Sequence, residues 1–191
     1  KRIKIQKKKE FKVFFEMFKL LFADDQNLYK QSKGNKTMLH FACETGNIEL
    51  VKFLISLDKI DVNSKHENQL TILNSACKSG NLDLVKYIMS LDEIDIDSLM
   101  NISVLFMACQ SGSLDLVKYL ISLDKIDITL KSYYNSTILH AACESGSFEL
   151  VKYIILLDKI DIKSVTSANF SILHMACESG NLNLVKYLIS L

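Results

Sequence analysis

Along residues 37–191, apolar and polar positions alternate in blocks that return in the same order. Each block opens on Ser or Thr, passes through a short apolar stretch, and stops at Gly. In the block from Thr37 the stretch is Met38, Leu39, His40, Phe41, Ala42 and Cys43, and the stop is Gly46. The sequence restarts at Asn47, and Ile48, Val51, Leu54 and Ile55 then share one side of a 3.6-residue period. Thr37 and Asn47 are good N-caps, Gly46 permits a left-handed C-cap, and Glu49 sits in a first turn where the helix dipole favours an acid. The pattern predicts two short antiparallel helices joined by a tight turn. Leu57-Asp58-Lys59-Ile60-Asp61 then leads into an extended tip.

The unit is copied in tandem. Cysteines stand at 43, 77, 109, 143 and 177, each preceded by alanine, at spacings of 34, 32, 34 and 34 residues. Copies laid in register begin at Thr37, Thr71, Ser103, Thr137 and Ser171. A fixed period in this range means one supersecondary unit whose copies stack to bury each other's apolar faces. Glycines 46, 80, 112, 146 and 180 mark the same turn in every copy. Asp58, Asp92, Asp124 and Asp158 stand where the chain reverses after the second helix, and aspartate tolerates the left-handed region there. The expected division is a basic tail over 1–10, a capping helix or half repeat over 11–36, and repeats over 37–70, 71–102, 103–136, 137–170 and 171–191. Phe11, Phe14, Phe15, Phe18 and Phe22 recur at helical spacing in the capping segment.

The opening motif reads Thr37-Met38-Leu39-His40-Phe41-Ala42, Thr137-Ile138-Leu139-His140-Ala141-Ala142 and Ser171-Ile172-Leu173-His174-Met175-Ala176. Asn74 and Phe106 take the histidine position in the other two copies. These residues resemble the Thr-Pro-Leu-His-x-Ala motif of the ankyrin repeat family, whose period is 33. Met, Ile or Val replaces the family's proline, which forgoes about 0.4–1 kcal/mol of unfolded-state restriction per compatible site. Lys-Ile or Glu-Ile replaces its Gly-Ala, and one extra residue in that bend gives 34. The resemblance covers residues 37–191 without a gap. It implies an all-α solenoid of stacked antiparallel helix pairs with short extended fingertip loops. It also implies histidines that hydrogen-bond the capping Ser or Thr and the neighbouring loop.

Composition narrows the chemistry. An odd number of cysteines, all at one structural position, is a poor disulfide framework and fits buried thiols in a reducing compartment, so a cytoplasmic or nuclear location is expected. No run of about 18 uncharged apolar residues predicts a membrane span. The start at Lys1, with no apolar signal stretch after it, reads as an excised or processed piece. Residues 1–10 carry six basic groups and one acid, +5, which leaves −4 for the rest of a chain whose formal charge is +1. An array of that sign is not expected to bind nucleic acid. His40 with Cys43, His140 with Cys143 and His174 with Cys177 share helix faces as metal ligands would. Each copy offers only two ligands, though, and stacked helices lie about 8–10 Å apart, too far to complete a four-ligand site. No Gly-rich phosphate loop and no nucleophile–base order appears, so no enzyme, no metal and no cofactor is expected. Lys52, Lys86, Lys118, Lys152 and Lys186 read as a solvated outer face.

What remains is the surface on which the copies differ. The resemblance implies that it is built from fingertips and the exposed ends of the first helices. Carried onto this sequence, it comprises Lys65, Glu67, Asn68, Leu70, Lys78 and Ser79, then Leu99, Met100, Ile102, Gln110 and Ser111. Lys131, Tyr133, Tyr134, Ser136, Glu144 and Ser145 follow, and then Val165, Ser167, Ala168, Phe170, Glu178 and Ser179. Leu99, Met100, Ile102, Tyr133, Tyr134 and Phe170 are unusual in a solvated loop, where apolar clusters mark contact surfaces. The expectation is a monomeric scaffold for an unidentified protein partner, without a small-molecule substrate. The alternatives are a spacer in a longer array and weak self-association through the terminal helices.

Overall fold

A computed structural model describes residues 36–57, 60–66, 69–94 and 101–191. The basic tail and the capping segment up to residue 35 lie outside the described residues, as do Asp58, Glu67, Asn68, Leu99 and Met100. Among the described residues ten helices form five pairs: α1 (Met38–Glu44) with α2 (Ile48–Ile55), α3 (Ile72–Ser79) with α4 (Leu82–Met89), α5 (Ile102–Gln110) with α6 (Leu114–Ser122), α7 (Ile138–Ser145) with α8 (Phe148–Leu156), and α9 (Ile172–Glu178) with α10 (Leu182–Ile189). The first helices stack in one row, α1 on α3 on α5 on α7 on α9, and each packs against its own second helix. Extended structure in the described residues is limited to isolated bridges, His66 with Leu70 and Val165 with Ser171. The all-α solenoid expected from the repeats is borne out.

The core is one residue pattern repeated. Leu39, Leu73, Leu105 and Leu139 are fully buried with Cys43, Cys77, Cys109 and Cys143 beside them. Val51, Val85, Val117 and Val151 meet them from the second helices, equally buried. Each such leucine contributes about 1.5–3 kcal/mol through the water it sheds. The same dryness pushes the Cys43 and Cys143 thiols up to about 12, and raises those of Cys77 and Cys109 as well. The fifth rung differs, because Cys177 is exposed.

Each turn is closed by the residue before its glycine. The hydroxyls of Thr45, Ser79, Ser111, Ser145 and Ser179 donate to the carbonyl three residues back at 2.6–2.8 Å. They accept the backbone N–H two residues on, at 3.2–3.4 Å. Asn81 and Asn181 go further, donating from the side-chain amide to the Gly46 and Gly146 carbonyls of the preceding turn at 2.8 Å. Asp124 and Asp158 adopt the left-handed conformation expected after the second helix; Asp92 does not.

The capping box holds in four copies and moves in the third. Thr37 Oγ1 lies 2.8 Å from His40 Nδ1, and Thr137 with His140 and Ser171 with His174 repeat that distance. Asn74 does the same work by accepting from the Thr71 backbone at 2.9 Å and its hydroxyl at 3.0 Å. Phe106 cannot accept, and the third first helix starts two residues earlier than the register of Ser103 implied, with Asn101 as its cap. Ser103, freed from capping, donates to Asn101 and accepts from the Asn74 side chain of the preceding copy at 2.9 Å. A boundary between copies at 102 and 103 therefore cuts through α5.

The outer lysines do more than face solvent. Nζ of Lys52, Lys86 and Lys118 lies over the ring of Tyr87, Tyr119 and Tyr153 in the next copy, 5.1–5.3 Å from its centre. At exposed positions each such contact is worth about 0.5–1 kcal/mol, and together they tie neighbouring second helices along their outer side. Phe148 takes over at the end, packing edge-on to Tyr187 at 5.3 Å.

Candidate protein-interaction surface

The fingers are short reversals fixed by their own backbone. In the finger between α6 and α7, Ser132 N–H donates to the Ser136 carbonyl and Asn135 N–H to the Ser132 carbonyl, both at 2.9 Å. The next finger repeats this with Thr166, Phe170 and Asn169. Asn135 and Asn169 supply the left-handed residue at each tip, as Gln69 does in the first finger. Asp61, Asp127 and Asp161 brace the finger bases by accepting the N–H two residues on at 2.8–2.9 Å. Two bonds lock the last two fingers together: Ser167 N–H donates to the Tyr134 carbonyl, and the Asn135 side chain to the Val165 carbonyl, each at 2.8 Å.

On that braced frame Tyr133 is 96% exposed and Tyr134 70% exposed. Their rings meet edge to face, centroids 5.4 Å apart, so neither folds back against a neighbouring finger. Phe170, Val165 and Leu130 extend the exposed apolar area. Leu130, which the sequence did not single out, is exposed three residues after Asp127. Lys131, Ser167 and Ala168 are exposed beside them, and Ser136 is half-buried. In the first finger Lys65 is exposed while Leu70 is half-buried.

The first helices present a polar row: Glu44, Lys78, Gln110, Glu144 and Glu178 each follow a cysteine. Gln110 donates to Glu144 across copies at 3.1 Å. Glu44 takes Lys36 at 2.7 Å and Lys78 at 3.6 Å. Burial alone would push the Glu44 carboxyl up; the Lys36 hydrogen bond and the two lysine charges outweigh it and hold it below the ordinary value. Two groups expected on this face turn elsewhere. Ser79, Ser111, Ser145 and Ser179 spend their hydroxyls on the helix ends, and Ile102 opens α5, half-buried against the core rather than at a fingertip.

His40 and His140 are buried and committed. Thr37 N–H and Thr137 N–H donate to their Nδ1 atoms at 3.3 Å, which leaves the proton on Nε2. Burial lowers the His40 pKa to about 4, with the His66 ring 4.8 Å away and Lys36 pushing the same way; the Leu70 carbonyl and Glu44 oppose this without reversing it. Burial likewise lowers His140, against the carbonyls of Phe170 and Ser164. Among the described residues no three His, Cys, Asp or Glu side chains are grouped to hold a metal ion. No helix among them is long and apolar enough to cross a membrane.

A family model described as ankyrin repeats, in three copies, matches residues 10–100 and again residues 105–191. The chain belongs to the ankyrin repeat family. Among curated proteins none is similar enough to count as a match. Ankyrin repeats are in general protein–protein interaction modules and typically non-enzymatic scaffolds. This ankyrin array departs from its family's pattern at Asn74 and Phe106, and the fold absorbs both by relocating one cap and bridging two copies through Asn74 and Ser103.

Proposed function

We propose that this ankyrin array is a scaffold that docks a partner protein across its fingertips and the exposed edge of its first helices, without catalysis or a cofactor. The observation that carries the reading is the Tyr133–Tyr134 pair, both rings exposed on a finger that is hydrogen-bonded to the next one. Large amphipathic rings held out on a rigid frame lose little freedom on binding, and tyrosines are frequent energetic anchors of interfaces. Lys65, Lys131, Gln110, Glu144 and Glu178 supply charge and hydrogen bonding around them. Glu67, Asn68, Leu99 and Met100, which lie outside the described residues, are assigned to the same face by their place in the sequence repeat alone. Affinity capture with the parent and with a Tyr133→Ala/Tyr134→Ala variant, compared by quantitative mass spectrometry, tests it. The expected result is a specific partner depleted at least about tenfold by the variant, the loss of a typical anchor. Equal retention of every partner overturns the fingertip assignment.

A further inference from the structure

The second copy departs from the others at three positions of its first helix. Asn74 stands where three copies have His. Ser75 stands where the others have Phe41, Met107, Ala141 and Met175, and Lys78 where they have Glu44, Gln110, Glu144 and Glu178. All three departures line one pocket of about 120 Å³, whose other walls are Lys36, Glu44 and His66 with the apolar Leu70 and Met107. We propose that this pocket is a carboxylate site that takes an aspartate or glutamate side chain of the docked polypeptide.

Each departure has a distinct part. Asn74 is shorter than an imidazole and so leaves room, while its amide oxygen accepts twice from Thr71 and its nitrogen donates to Ser103. Ser75 is 2% exposed, and its hydroxyl finds no hydrogen-bond partner among the described residues. A buried hydroxyl in that state is costly, and an accepting ligand relieves it. Lys78 brings the charge. Its ammonium and that of Lys36 both lean on the single carboxylate of Glu44, at 3.6 and 2.7 Å, so these three described groups together carry one net positive charge. Lys78 is also the looser of the two and more than half exposed, free to turn to a ligand. The volume equals that of about four waters at ~30 Å³ each, enough for a side-chain carboxylate. A single excess charge beside a fixed glutamate suits a monoanion and disfavours a phosphate dianion.

The proposal rests on the reading of this face as a docking surface, but a small probe tests it separately. Isotope-labelled protein is titrated with N-acetyl-glutamate methylamide, its glutamine analogue and inorganic phosphate, and followed by NMR. Saturable shifts at Ser75 and Lys78 are expected with the glutamate probe, at least about tenfold weaker with the glutamine analogue. Ser75→Ala weakens binding roughly three- to tenfold and Lys78→Glu more than about tenfold, with thermal melting confirming that both fold. Lys78→Gln replaces the latter if it misfolds. Equal binding of the glutamine analogue, tighter binding of phosphate, or an undiminished response in Lys78→Glu overturns the site. Because no partner is present in the titration, those outcomes leave the Tyr133–Tyr134 anchor standing, and loss of that anchor leaves the pocket standing.

Discussion

The His40 ring has to be neutral to do its work, because Nδ1 accepts from Thr37 while the rest of the ring is sealed from water. Its pKa lies near 4 in the folded chain against 6.5 unfolded, so below 6.5 the unfolded chain holds more protons. Stability from this group is therefore complete above about pH 6.5 and is lost as pH falls towards 4. Between about pH 7.5 and about pH 5 the loss is roughly 2 kcal/mol. His140 adds to it with the same sign. Glu44, whose pKa is lowered, contributes stability that is lost only further down, below the ordinary carboxylate range. Asn74 already shows that an amide completes the same cap without titrating. His40→Asn is expected to flatten the dependence of the urea midpoint on pH over that window by about this amount. Parallel curves for parent and variant would show that His40 is not the titrating group.

At the level of elements, the tight turn is shared between copies. Gly80 has φ +72°, and a Cβ there would lie 3.1 Å from Ser111 Oγ and 3.2 Å from Ser111 Cβ, atoms held by the Ser111 bond to Ala108. Gly180 has the same φ, but a Cβ there meets nothing within 4 Å among the described residues. Both alanine substitutions incur the left-handed penalty of about 1–2 kcal/mol. Gly80→Ala is expected to cost measurably more in chemical denaturation, the difference reporting the approach of the next copy; equal costs would remove that approach as a cause. These paired helices were legible because caps, Gly and apolar spacing are local signals that recur five times. The shifted start of α5 was not, since it depends on what Phe106 cannot accept, and only the competing cap at Asn101 decides it. Nor was the Lys–Tyr ladder, whose partners are more than 30 residues apart in sequence yet adjacent in the stack. The fingertip tyrosines stood out as apolar residues in a loop, whereas the carboxylate pocket needed three unremarkable departures to converge in space.

Across the whole molecule, each copy is held by its neighbours and little else, so opening is expected to proceed from an edge inward rather than everywhere at once. The thiols make this measurable, one on each rung. Cys177 lies on a rung that nothing covers among the described residues, while Cys143, Cys109 and Cys77 are sealed and their pKa values raised by burial. Thiolate is the reacting form, so a sealed thiol reacts only when its rung opens. Under native conditions an alkylating reagent is expected to modify Cys177 at once and Cys143 next, with Cys109 and Cys77 slower by at least about tenfold, as read by peptide mass spectrometry after a timed pulse. Cys177→Ser removes the fast phase and leaves the others. Reaction of Cys143, Cys109 and Cys77 at one common rate would mean that the stack opens as a single cooperative body, with coupling between copies strong enough to suppress fraying. A graded order instead makes the covered rungs the rigid part of the scaffold, and those include the copy that carries the Tyr133–Tyr134 finger into α7.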